Sequence, residues 1–79
     1  MVHNVSIADC IAQNLQQYFA DLEGEMPCGV YDMVLAQVEL PLLQCVMDVC
    51  DNNQTRAAQM LGLNRNTLRK KLAQHHLLD

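Results

Sequence analysis

Residues 53–72 of the chain read NQTRAAQMLGLNRNTLRKKL. This stretch predicts two short helices joined by a turn at Gly62, because glycine readily adopts the left-handed conformation that ends a helix. All five Lys and Arg residues of the protein lie within it, whereas eight of the nine acidic residues precede it. The formal net charge of −4 therefore conceals an acidic N-terminal part and a basic C-terminal part.

The two predicted helices have the features of a helix-turn-helix. The first runs from residue 54 to about 61 behind an N-cap at Asn53, and the second from residue 65 to about 76 behind an N-cap at Asn64. Ala58 is small at the point where the two helices must cross closely. A short helix, a turn with glycine and a second helix rich in Arg and Lys are typical of DNA-binding proteins.

The second helix is expected to have a core face and a DNA face. On a helical wheel Leu68, Leu72 and His75 cluster on one side, and the basic side chains occupy an arc beside and opposite them. A solvated basic helix without a ligand is the simpler alternative. The segregation of all five bases into one stretch favours a polyanionic partner.

The basic side chains divide into predicted base readers and predicted phosphate contacts. Arg65 is the first candidate for base reading, because its guanidinium can donate two hydrogen bonds to guanine O6 and N7. Arg69, one turn later, is the second, and Lys70 and Lys71 are predicted to contact phosphates. The polar candidates near the helix N-termini, which can hydrogen-bond phosphate or reach a base edge, are Asn53, Gln54, Thr55, Asn64 and Thr67. For the two asparagines, capping alone is an equally good explanation.

The N-terminal half predicts two further helices. Ser6 and Asp9 form a candidate capping box at the start of the first helix, and Gly24 is a candidate left-handed residue at its end. The second helix is predicted over residues 30–49 as one helix that bends at Pro41, because the apolar periodicity continues in phase through the proline. Its broad apolar face predicts burial against a second copy or inside a bundle, and a chain of 79 residues has little core of its own.

The rest of the sequence offers few motifs for disulfide, metal, cofactor or catalytic sites. The four cysteines form no C-x-x-C pair, which predicts a cytosolic protein with free, buried thiols. His75 and His76 diverge by about 100° on a helix, so a metal site that also uses His3 is not expected. No catalytic constellation, cofactor motif, signal peptide or membrane partner is predicted, and the protein is not expected to be an enzyme.

Four stretches together resemble the Fis family, the bacterial factors for inversion stimulation. They are YFA at residues 18–20, YDMVLAQVELPLL at 31–43, NQTRAA at 53–58 and NRNTLRKKL at 64–72. The resemblance implies an all-α homodimer of four-helix chains. Residues 1–51 would form intertwined dimerisation helices, and residues 52–79 would form the helix-turn-helix. The two parts together would make one cooperative domain.

The resemblance also implies a function. A family member binds double-stranded DNA with two recognition helices that lie closer together than one turn of straight DNA, so the DNA bends and groove shape contributes to specificity. It acts as a global transcription regulator in the cytoplasmic bacterial nucleoid, with RNA polymerase as an additional partner. The family's DNA-contacting positions correspond to Asn53, Gln54, Thr55, Asn64, Arg65, Thr67, Arg69, Lys70 and Lys71.

The chain departs from the family pattern at three places. It begins close to the first helix without the family's N-terminal arm, so enhancement of recombination is not expected. Asp51 and Asn52 replace a basic residue and a glycine, and the two residues at 73–74 replace lysines, which predicts weaker contacts to flanking DNA. Asn66 replaces a glycine. Two alternatives are a helical protein-interaction module with an incidental basic helix, and a regulator that kept the Fis-type unit of larger enhancer-binding activators.

Overall fold

The computed structural model describes residues 6–78, and these form four helices without a strand. The helices are α1 (Ile7–Asp21), α2 (Val30–Val49), α3 (Gln54–Leu61) and α4 (Arg65–Gln74). The predicted all-α class is confirmed. By its internal contacts the chain divides into two compact units, Met1–Val30 and Tyr31–Asp79. The domain boundary at residue 51 stays a prediction.

α1 begins where the sequence predicts. The Ser6 hydroxyl accepts a hydrogen bond from the Asp9 amide at 3.0 Å and so satisfies a donor of the first turn. The helix ends at Asp21 with Leu22 as its C-cap, and Glu23 is already left-handed at φ 53°, one residue before Gly24 at φ 90°. None of the residues Ile7–Asp21 is buried.

α2 is one continuous helix through Pro41, as predicted. Asp32 lies in its first turn, where a negative charge is favourable to the helix dipole. Among Val30–Val49 only Leu43 is buried. By length and composition alone α2 could cross a membrane, although Asp32, Glu39 and Asp48 lie within the helix. The bend at Pro41 stays a prediction.

The core of the second unit joins the C-terminal half of α2 to α3 and α4. Among residues 6–78 the buried side chains are Leu43, Cys50, Ala57, Ala58, Leu68 and Leu72. Half-buried Val46, Met47, Leu61, Leu77 and Leu78 pack against them. The predicted core positions Leu68 and Leu72 are 0% and 1% exposed, which fixes the orientation of α4 about its axis.

α2, α3 and α4 end in the same hydrogen-bonding motif, in which an N–H beyond the helix donates to a carbonyl five residues earlier. The three bonds join Asn52 to Met47 at 2.8 Å, Leu63 to Ala58 at 2.9 Å and Leu77 to Leu72 at 2.7 Å. The preceding left-handed residues are Asp51 (φ 52°), Gly62 (φ 75°) and His76 (φ 59°). The predicted turn at Gly62 is confirmed. α4 stops at Gln74, two residues earlier than predicted, because His76 is left-handed.

The prediction that all thiols are buried is wrong for three of the four cysteines. All four are free, but only Cys50 is buried, while Cys10, Cys28 and Cys45 are exposed. Cys50 lies where the end of α2 meets the core of the second unit. Cys10 and Cys45 lie on exposed positions of α1 and α2, and Cys28 lies in the segment between these helices.

Candidate nucleic-acid interface

The N-termini of α3 and α4 are both closed by asparagine caps. The Asn53 Oδ1 atom accepts a hydrogen bond from the Arg56 amide at 3.2 Å, and the Asn64 Oδ1 atom accepts one from the Asn66 amide at 2.7 Å. Both capping predictions are confirmed. Each side chain keeps its amide NH2, which can still donate to another acceptor.

The exposed face of α4 is basic. Arg65, Arg69 and Lys70 are all exposed; at about 100° per residue Arg65 and Arg69 lie beside the buried Leu68 and Leu72, and Lys70 lies opposite them. Residues 52–78 contain no Asp or Glu, so no acidic side chain of this segment offsets those charges. The arrangement presents a positive face on a helix whose opposite face is fixed in the core.

The turn brings the first turns of α3 and α4 together. Arg65 Nη1 lies 3.5 Å from Thr55 Oγ1, a long and weak hydrogen bond between residues ten positions apart. The Thr55 hydroxyl in the first turn of α3 thus lies beside Arg65 in the first turn of α4. Backbone amides at such ends favour anionic ligands.

The structure separates the nine predicted contact residues into two groups. Seven are exposed, namely Asn53, Thr55, Asn64, Arg65, Thr67, Arg69 and Lys70. Gln54 and Lys71 are half-buried. Their roles toward DNA stay predictions.

Lys71 contacts a residue that the sequence did not single out. Its ammonium donates to Glu39 Oε2 at 2.7 Å, and the other carboxylate oxygen, Oε1, lies 2.8 Å from His75 Nε2. The Lys71, Glu39 and His75 side chains are 33%, 20% and 9% exposed. The hydrogen bond from Lys71, followed by that from His75, lowers the pKa of Glu39 below its ordinary value of 4.5, against the opposing effect of burial.

Histidine and cysteine do not combine into a metal centre in the described part of the chain. No group of three or more His, Cys, Asp or Glu side chains there could hold an ion. His75 faces Glu39, whereas His76 is exposed, and His3 lies outside the described residues.

Two short helices around a left-handed glycine, with a basic exposed face on the second, define a helix-turn-helix unit. The family described as bacterial regulatory protein, Fis family, matches residues 34–75. The chain belongs to the Fis family of bacterial regulatory proteins, which is a family of DNA-binding proteins and not of enzymes. The resemblance predicted from the sequence is confirmed.

Three relatives define the range of similarity. A Fis-like DNA-binding protein of Neisseria meningitidis is 71% identical over 72 residues, which cover 91% of each chain. One from Ralstonia nicotianae is 58% identical over 72 residues, covering 91% of this chain and 94% of the relative. The DNA-binding protein Fis of Proteus mirabilis is 52% identical over 69 residues, or 87% of this chain and 70% of that protein.

Proposed function

We propose that the protein is a homodimeric DNA-binding and DNA-bending transcription regulator that inserts α4 of each chain into the major groove. The observation that carries this proposal is that Arg65, Arg69 and Lys70 are exposed on α4, beside and opposite the buried Leu68 and Leu72 that anchor the helix. A helix fixed on one side and cationic on the other can enter a groove without disturbing the core. The family names of the relatives support DNA as the ligand.

Arg65 and Arg69 act as base readers in this proposal. They lie one turn apart on the exposed side of α4, and Arg65 is at the N-terminal end that a recognition helix places deepest in the groove. Bidentate contacts from arginine to guanine distinguish base pairs by about 1–3 kcal/mol. Lys70 carries a point charge on a flexible side chain, which suits a contact to a DNA phosphate.

The remaining contacts position the duplex. Asn53, Thr55 and Gln54 stand at the start of α3, and Asn64 and Thr67 at the start of α4, where side chains and amides can hydrogen-bond phosphate oxygens. Lys71 differs from the others because its ammonium already contacts Glu39. It is therefore the weakest of the nine candidates.

The apolar surface of a single chain supports the homodimer. Large apolar side chains remain exposed on α2, with Leu35 at 44%, Leu42 at 46% and Val49 at 63%, and on α1, with Ile7 at 72%. Only six side chains of residues 6–78 form the buried core. The exposed apolar side chains of α2 mark an association site, and a second copy offers a complementary apolar face.

The two α4 helices of one dimer would contact two DNA half-sites at a fixed spacing. If that spacing is shorter than about 34 Å, one turn of straight DNA, the duplex must bend to contact both helices. Bending, global regulation, a place in the cytoplasmic nucleoid and RNA polymerase as an additional partner are proposed from the family resemblance.

A gel-shift experiment with circularly permuted duplex probes, combined with sedimentation of the free protein, tests the proposal. We expect a dimer, salt-sensitive binding, and mobility that depends on where the site lies in the probe. Arg65→Ala should reduce sequence preference, whereas Arg56→Ala removes the same charge from α3 and should leave the preference unchanged. A well-folded dimer that binds no duplex would contradict the proposal and favour a protein-interaction module.

A further inference from the structure

Glu39, Lys71 and His75 form a three-residue cluster between α2 and α4, called here the Glu39 cluster. Each carboxylate oxygen has its own partner, with Oε2 at 2.7 Å from the Lys71 ammonium and Oε1 at 2.8 Å from His75 Nε2. All three side chains are at least partly shielded from solvent. Among residues 6–78, Glu39 is the one acidic side chain that forms salt bridges.

The cluster lies on a different face of α4 from the proposed base readers. At about 100° per residue, Lys71 is turned about 160° from Arg69, whereas His75 is one turn beyond Lys71 on the same side. Leu68 and Leu72, which are buried against α2 and α3, flank that side. Lys71 therefore points toward α2 and not with Arg69.

A partly shielded ion pair uses a lysine differently from DNA binding. An exposed lysine gains affinity by neutralising a phosphate and releasing counterions, which makes that contribution salt-dependent. Lys71 already has a carboxylate at hydrogen-bond distance, and leaving it would strand the shielded charge of Glu39. Lys71 therefore contributes to DNA binding by holding α4 in position.

We infer that Glu39 is a positioning residue for DNA binding, which ties α4 to α2 through Lys71 and His75, and that Lys71 is its partner and not a phosphate contact. The inference rests on the proposed DNA-binding function. Leu68 and Leu72 hold α4 by non-directional packing, while the two hydrogen bonds of Glu39 fix its tilt and axial position relative to α2. Arg65 and Arg69 depend on that orientation to reach base edges.

The first experiment uses the protein without DNA. The Glu39 carboxyl is titrated by carbon-detected NMR in the wild type and in Lys71→Gln, Lys71→Arg and Lys70→Gln. We expect Lys71→Gln to raise the pKa of Glu39 toward its ordinary value, Lys71→Arg to keep it low, and Lys70→Gln to leave it unchanged. An unchanged Glu39 pKa in Lys71→Gln would show that the cluster does not form and would overturn the inference.

The second experiment measures duplex affinity across a series of salt concentrations for the same variants. Lys70→Gln should reduce the slope of log affinity against log salt by about 0.9 per lost phosphate contact, or about 1.8 for a dimer. Lys71→Gln should keep the wild-type slope and weaken binding roughly threefold to tenfold at every salt concentration, the size expected for one hydrogen-bonded ion pair that is partly exposed to solvent. Lys71→Arg should restore the affinity.

The outcomes separate the two proposals. If Lys71→Gln reduces the slope of log affinity against log salt as much as Lys70→Gln does, Lys71 is a phosphate contact. If Lys71→Gln binds duplex DNA with wild-type affinity, Lys71 has no positioning role. Either result overturns the inference while DNA binding stands. Absence of salt-dependent duplex binding in the wild type would instead overturn the proposed function. Helix content and thermal midpoints show that the Lys71 variants are folded.

Discussion

The N-terminal and C-terminal parts of the chain differ in how far they bury their own side chains. The segment from Leu43 onward contains all six buried residues of the described chain and both asparagine-capped helices. α1 contains none of the buried residues, and α2 contains only Leu43. The C-terminal region fixes its geometry within one chain, whereas large apolar side chains of the N-terminal helices stay exposed in a single chain.

Charge follows the same division. Residues 1–51 carry eight acidic groups and no Lys or Arg, and residues 52–78 carry five bases and no acid. A polyanion is repelled by the first region and attracted by the second. The Glu39 cluster is the exception, because one acid of the first region holds one base of the second.

The largest effect is expected from a charge on the exposed apolar face of α2. Leu42→Asp would bury an unpaired carboxylate in the proposed dimer, at a cost of roughly 3–5 kcal/mol, and should shift sedimentation from dimer to monomer. Gln44→Asp introduces the same charge about 200° around the helix and is the control. Equal behaviour of the two variants would contradict a dimer built on this face.

The second effect concerns the core of the C-terminal region. Leu68 is completely buried, so Leu68→Ala should lower the free energy of unfolding by about 3 kcal/mol in urea denaturation. Met60→Ala, on a side chain that is 55% exposed, should cost less than about 0.5 kcal/mol. Similar losses in both variants would mean that the two positions are equally packed.

The helix ends provide a third comparison. Gly62→Ala places a β-carbon on a residue with φ 75° and should lower the free energy of unfolding by about 1 kcal/mol. Asp51→Gly, at the corresponding position after α2, should raise it by about 0.5–1 kcal/mol, because φ 52° is strained for aspartate. Thermal midpoints that move in the same direction would refute the shared motif.

The smallest effect is the pH dependence of the Glu39 cluster. Because the pKa of Glu39 is lowered in the folded protein, its contribution to the free energy of unfolding is fully present above the ordinary pKa of 4.5. That contribution is lost as the pH falls through the folded pKa. We expect the difference in unfolding free energy between wild type and Glu39→Gln to shrink below pH 4.5, by no more than about 1 kcal/mol. A difference that is constant with pH would show that the carboxylate charge contributes nothing.

Local sequence rules predicted the helical elements well. Ser6, Asn53 and Asn64 cap the helices that they were predicted to cap, and Gly62 forms the predicted turn. These features depend on hydrogen bonds between residues two to five positions apart, so the residue types and their spacing suffice. The DNA-contact set was predicted from the residues as well as from the family resemblance, and the resemblance favoured a homodimer over burial inside a bundle; both stay proposals.

Tertiary structure alone decided which side chains meet across the C-terminal region. Glu39 lies 32 positions from Lys71 and 36 from His75, and no periodic pattern in the sequence reports the angle at which α4 packs on α2. The same packing left Cys45 exposed and buried Cys50, although both lie on one apolar stretch. Spacing along a helix determines which residues share a face, but only the packing of the helices determines what that face touches.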